Sequence, residues 1–368
     1  MTGVRAQLRR AEVMLGAGRF SDAITLLAPV VAAEPDNSRA WALLAQAQLG
    51  GGNPADGLAA ASRAVQLDPA ADWPHRLRSI GLRRTGNARQ AVDAAFEACR
   101  LQPHHWMNHF NLAQAALGAT ADIGPGGQSG LAIAAQASAT ARQLAPSEPS
   151  AHYVSGQVSR ACGNKEEAQA HFEQTLVLDP EHSSAVNELG RLKLDGGKSG
   201  AAAAHFVQAA RIAPREGVYG HNVDVAVSRA ERSVASLVRW VIYVSWLVVI
   251  LALGVAGRSV ADRLALLAVL VLAALVVGAV WQIQLRRMPR QARPLFRGRS
   301  MLLALGMSLG ALLLGVSALE FAPDQSGVLL LPVVAGMLAA RYLAFRILRS
   351  GARKRYEQIA GRSAVVRP

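Results

Sequence analysis

Six prolines set the frame of the first 217 residues. Pro35, Pro69 and Pro103 stand 34 residues apart, and so do Pro146, Pro180 and Pro214. The interval from Pro103 to Pro146 is 43, so one unit carries nine extra residues. A period of this length argues against a domain closed around one core. It points to a stack of short supersecondary units, each burying the apolar face of the next. Each proline follows an apolar run of helical spacing, where it stops one helix and sets the turn into another.

Other residues recur in the same frame. Gly18, Gly52, Gly86, Gly163 and Gly197 lie seventeen before their prolines. A glycine there predicts a left-handed residue closing the first helix of a hairpin. Ala23, Ala91, Ala168 and Ala202 lie twelve before, and Ala64, Ala98 and Ala209 five before. Phe172 and Phe206 lie eight before, where the first unit has Leu27. Small residues let paired helices approach; larger apolar ones fill the space between hairpins.

With Trp41, Leu44, Ala45, Gly52, Ala64 and Pro69 in its second unit, the chain resembles the tetratricopeptide repeat family. Gly156, Ala168, Phe172 and Pro180 carry the resemblance in the fifth unit, and Leu189, Gly190, Ala202, Phe206, Ala209 and Pro214 in the sixth. It covers residues 4–216 as six repeats beginning near 4, 38, 72, 106, 149 and 183. The implied fold class is all-α: a solenoid of helical hairpins over 1–217. The fourth repeat departs at 121–130, a lengthened Gly/Pro loop read as a tolerated insertion at a hairpin tip. Residues 218–239 read as a capping and linker helix. Asn222 is expected to cap its start, and Val223, Ala226, Val227, Ala230, Val234 and Leu237 form its apolar face.

Charge and hydropathy separate the two halves. The chain carries +14 overall, but residues 1–217 hold 20 Lys+Arg against 19 Asp+Glu, while 218–368 hold 19 against 6. The excess sits beside four apolar runs at about 240–257, 264–284, 301–321 and 328–347. Runs of ~20 residues suffice for the ~30 Å hydrocarbon core. We therefore expect a four-helix transmembrane region over 240–347 and a basic tail over 348–368. Arginines crowd the approach to the first run, the 286–299 loop and the tail, whereas the other two connections are poor in them. The positive-inside rule then places both termini in the cytoplasm of a multi-pass membrane protein in contact with lipid. Of the 39 basic residues only four are Lys, a usage that suits a GC-rich bacterial genome and hence a bacterial inner membrane. With the excess charge so placed, and no nucleic-acid-binding motif present, a nucleic-acid partner is not expected. The first twenty residues lack the apolar stretch of a signal peptide, so targeting is expected from the first internal span.

No residue set for catalysis, cofactor or metal emerges. The sequence lacks G-x-x-x-x-G-K-[ST], H-E-x-x-H and G-x-S-x-G. Cys99 and Cys162 are isolated and read as small buried apolar residues in helices. His104, His105 and His109 lie close, but neighbours in sequence complete no ligand set. His75, His109 and His152 fall at the place that Trp41 takes in the second repeat, which favours helix packing.

The family resemblance implies one directed surface. In tetratricopeptide proteins the second, fifth, ninth, twelfth and thirteenth places of each first helix line a concave groove. Mapped here, these places include Arg5, Arg39, Trp73, Arg76, Arg83, Arg84, Phe110, Gln114, Tyr153, Gln157, Arg160, Asn187 and Arg191, with Glu12 and Asp195 at the ends. Guanidinium groups beside aromatics suit an extended peptide bearing carboxylates, or a protein's C-terminal segment. No Lys-x-x-x-Asn pair, with which some family members hold a chaperone's C-terminal carboxylate, occupies these places. The expected function is a membrane-anchored interaction scaffold, not an enzyme. The alternative is an accessory subunit of a membrane transport or secretion complex.

Overall fold

The structure, a computed structural model, describes residues 2–119, 129–214 and 216–229. These form thirteen helices. Paired as hairpins, they are α1 (Thr2–Gly16) with α2 (Phe20–Ala33), α3 (Ser38–Gly50) with α4 (Pro54–Leu67), and α5 (Asp72–Arg84) with α6 (Ala88–Leu101). Next come α7 (Trp106–Leu117) with α8 (Gly130–Leu144), α9 (Pro149–Ala161) with α10 (Lys165–Leu178), and α11 (Ser183–Asp195) with α12 (Ser199–Ile212). A further helix, α13, covers 217–229.

The frame read from the prolines is the frame of the hairpins. Second helices have Glu34, Asp68, Gln102, Ala145, Asp179 and Ala213 as their C-caps, each directly before a framing proline. All five framing glycines have positive φ, between 69° and 86°. The residue after each then bonds back to the last turn of the first helix, as Asn53 does to the Gln48 carbonyl at 2.9 Å and Asn87 to that of Leu82 at 2.8 Å. This left-handed stop satisfies carbonyls that the helix end would otherwise leave open. Any other residue at these five places is strained, which is why glycine recurs.

The chain divides into two compact units, Met1–Pro180 and Glu181–Pro368. In the first, each helix packs on the next, and the first helices α1, α3, α5, α7 and α9 also touch in succession. One apolar cluster runs from Leu8 to Leu77 and a second from Leu82 to Val158. Phe172 of α10 is fully buried against Gly156 of α9, where an added Cβ would stand 2.6 Å from the ring. Phe206 of α12 makes the same fit against Gly190 of α11 in the second unit, again at 2.6 Å.

In that second unit α13 starts three residues after Pro214, as every later first helix starts three after its own proline. Asn222 is therefore inside the helix and does not cap it. Its side chain instead donates to Asn187 Oδ1 at 2.8 Å. Tyr219, Val223, Ala226 and Val227 are buried, and the Tyr219 hydroxyl lies 3.1 Å from Ser183 Oγ. The described part of 218–239 thus packs like the first helix of another repeat. The four expected membrane spans, the basic tail and nearly all of the 121–130 insertion lie outside the described residues. Among the described residues no helix is long and apolar enough to cross a membrane.

Candidate peptide-binding face

The residues mapped to the groove lie on first helices, and the successive contacts of α1 to α9 make one strip of them in the first unit. Trp73, Phe110, Tyr153, Gln114 and Gln157 are all half-buried there. Phe110 meets Trp106 edge-on, with ring centroids 6.0 Å apart, and Tyr153 tilts against Phe172 at 5.8 Å. A run of hydrogen bonds crosses from α7 to α9. Gln114 Nε2 donates to Gln157 Oε1 at 2.8 Å, and Gln157 Nε2 donates to the Tyr153 hydroxyl at 3.0 Å. The arrangement offers aromatic surface and amide edges side by side, both suited to an extended polypeptide.

The arginines do not form one uniform set. Arg39 reaches Glu12 of α1 at 2.6 Å, both groups being exposed. Arg84 donates to the Leu49 carbonyl in the last turn of α3. Arg229 of α13 makes the equivalent bond to the Leu194 carbonyl of α11 at 3.2 Å. A cation beside the carbonyl end of a neighbouring first helix also suits its dipole. In the second unit Arg191 bonds the buried Glu188 at 3.1 Å, beside the Asn187–Asn222 pair. Arg160 is half-buried on α9.

Arg76 is drawn into a closed cluster between α5 and α7. Its Nη1 donates to Asn108 Oδ1 at 2.9 Å and lies 3.0 Å from His105 Nδ1. Asp72, one turn earlier, stands 3.6 Å from Arg76 and 3.1 Å from His105. Asn108 is fully buried, and its Nδ2 reaches Asp72 together with the Ala98 and Gln102 carbonyls. Burial by itself would raise the Asp72 pKa, but hydrogen bonds from Asn108 and His105 and the Arg76 charge bring it below 3.8. Burial lowers the Arg76 pKa, with Asp72 opposing.

Arg83, two turns further along the same face of α5, has no such partners among the described residues. Its Nε is buried with no hydrogen-bond acceptor. Burial, and after it the neighbouring Arg84 charge, depress its pKa.

The histidine places also resolve. Trp41 Nε1 donates to the Pro35 carbonyl at 2.9 Å. The Nε2 atoms of His75, His109 and His152 lie 3.1, 2.7 and 2.9 Å from the carbonyls of Pro69, Pro103 and Pro146. A carbonyl only accepts, so these rings carry a proton on Nε2 and tie each first helix to the turn before it. Among the described residues no cluster of His, Cys, Asp and Glu is placed to hold a metal ion. Cys99 is buried, its thiol pushed up to about 12 by desolvation. Cys162 is exposed, contrary to its reading as a buried residue, because it falls at the C-cap of α9.

Residues 8–72 and 160–216 match the family model described as tetratricopeptide repeat. Those two segments carry tetratricopeptide repeats. No curated protein matches it in sequence. Among solved structures, the APC/C hetero-tetramer Cut9–Hcn1 is 16% identical with a TM-score of 0.51 over 61% of this chain and 42% of that one. The chain thus spans less than half of that relative's length. A thermophilic tetratricopeptide protein of Thermus thermophilus is 18% identical, with a TM-score of 0.47 over 51% of this chain and 98% of that one. YrrB, a tetratricopeptide protein with an unusual peptide-binding site, is 16% identical, with a TM-score of 0.36 over 53% and 96%. At these identities the likeness to Cut9–Hcn1 establishes the all-α solenoid fold and nothing finer. Tetratricopeptide proteins act as protein–protein interaction scaffolds, and the fold is typically non-catalytic.

Proposed function

We propose that this chain is a membrane-anchored scaffold that recruits a cytoplasmic protein along its first-helix face. The observation that carries the reading is the strip from α5 to α9. There Trp73, Phe110 and Tyr153 stand half-buried beside the linked amides of Gln114 and Gln157. An extended segment laid on such a strip gains aromatic contact area and backbone hydrogen bonds together. The partner is proposed to carry an acidic or C-terminal segment, matched to the arginines of the same face. The anchor is proposed from the four apolar runs of the sequence, and the cytoplasmic orientation from its arginine-rich connections.

Photo-crosslinking in cells tests this reading. A crosslinking side chain at Phe110 or Tyr153 is expected to trap a defined cytoplasmic protein. The same group at Val177 of α10, which is 73% exposed on a second helix, is expected to trap none. Trapping of the same protein from Val177, with none from Phe110 or Tyr153, would move the interaction off this face.

A further inference from the structure

Arg83 is a desolvated cation for which the described residues supply neither an ion-pair partner nor an acceptor at Nε. Buried guanidinium groups are ordinarily matched, because removing the charge from water costs more than packing returns. Three other arginines of the face follow that rule. Arg39 has Glu12, Arg76 has Asp72 and Asn108, and Arg84 has the Leu49 carbonyl. Arg83 breaks it while sharing a helix and a face with Arg76. Its stem lies along the end of α7, with Cγ 3.9 Å from where a Gly118 Cβ would stand. Arg84 does not relieve it, since it turns to α3 and adds a like charge.

We propose that Arg83 is the anchor for an acidic side chain of a bound peptide, its Nε–H and an Nη–H forming a fork on one carboxylate. This rests on the first-helix face being the recognition surface and names the chemistry at one point of it. A carboxylate matches the planar fork and supplies the missing charge in one group. A side-chain carboxylate is favoured over a chain terminus because the strip continues on both sides of α5. Helices α1 and α3 lie before it and α7 and α9 after it, so a segment passes Arg83 rather than ending there.

The test is a titration of the full chain, with arginine Nε–H signals followed by NMR after selective labelling. The probes are acetyl-Ala-Glu-Ala-amide, its Gln counterpart, and sodium chloride at matched ionic strength. The Arg83 signal, assigned by its loss in Arg83→Lys, is expected to shift saturably with the Glu peptide. The Gln peptide is expected to bind at least about tenfold more weakly, because it lacks the charge-assisted fork. Arg76, already matched, is expected to stay still. An equal response to the Gln peptide or to chloride would overturn the proposal, as would no response of Arg83. The titration itself uses the wild-type chain, and the conservative Arg83→Lys serves only to assign the signal. The two readings also fail separately. If a partner still crosslinks from Phe110 and Tyr153 while Arg83 ignores the Glu peptide, the face stands and the anchor falls. If Arg83 binds the peptide while Val177 alone crosslinks, the anchor stands and the face falls.

Discussion

The two ends of α5 carry the same side chain on the same face and treat it oppositely. At the N-terminal end Arg76 is enclosed by Asp72, Asn108 and His105, every one of them within 3.6 Å. At the C-terminal end Arg83 is half-buried with Nε unmatched. A repeat protein can tie neighbouring hairpins with polar groups, or hold polar groups for a visitor. The difference teaches that the arginine content of a groove is not a measure of its affinity for anions. What counts is the charge left over once internal partners are satisfied.

The largest effect is expected at Asn108, which holds the matched end together. Asn108→Ala would leave the Asp72 carboxylate, the Arg76 guanidinium and two backbone carbonyls short of a partner in a buried site. A loss of about 2–4 kcal/mol in unfolding free energy is expected, measured by urea denaturation. A loss under about 1 kcal/mol would mean that water replaces the amide freely and that the cluster is not closed.

A smaller and pH-dependent effect is expected from Asp72. Its folded pKa lies below the ordinary 3.8, so the folded chain holds this proton less tightly than the unfolded chain. The resulting stability is present above pH ~4 and is lost as pH falls through the folded value. Asp72→Asn is expected to flatten that part of the acid unfolding curve and to lower stability at neutral pH. An unchanged acid limb would show that Asp72 is not held ionised by its neighbours.

These particulars mark what was legible in the sequence. The hairpin frame was, because a proline stop and a left-handed glycine each allow few residues, and such constraints repeat visibly at 34 residues. The arginine partners were not. Asp72 takes the first place of its repeat, outside the places that map to the groove, and it meets His105 and Asn108 across 33 and 36 residues. The acceptors of Arg84 and Arg229 are backbone carbonyls, which no count of charges reveals. The start of α13 is less legible because Asn222 has the chemistry of a cap. Carrying the proline frame one step past Pro214 places the start at residue 217, where the structure has it.

The smallest effect is expected at His171, where a cation meets a neutral ring. Arg142 Nη1 lies 3.0 Å from His171 Nε2, and Glu167 Oε1 stands 3.8 Å from the same nitrogen. Burial first, then the Arg142 charge, hold the His171 pKa below 6.5. A histidine with a depressed folded pKa makes the unfolded state the better proton acceptor, so stability falls as pH drops below about 6.5. His171→Gln is expected to remove that slope between pH ~7 and ~5 and to change little above it. A slope that survives the substitution would assign it to other groups.

The most direct test of the contrast along α5 is one substitution made twice and read by one method. Arg76→Met and Arg83→Met are compared by urea denaturation of the full chain. Arg76→Met is expected to lose about 1–3 kcal/mol, because it strands Asp72 and Asn108. Arg83→Met is expected to stay within about 0.5 kcal/mol of wild type or to gain slightly, since methionine removes a half-buried charge that the described residues leave unmatched. A loss at Arg83→Met equal to that at Arg76→Met would contradict the account, and would make Arg83 part of the scaffold instead of a place kept for a ligand.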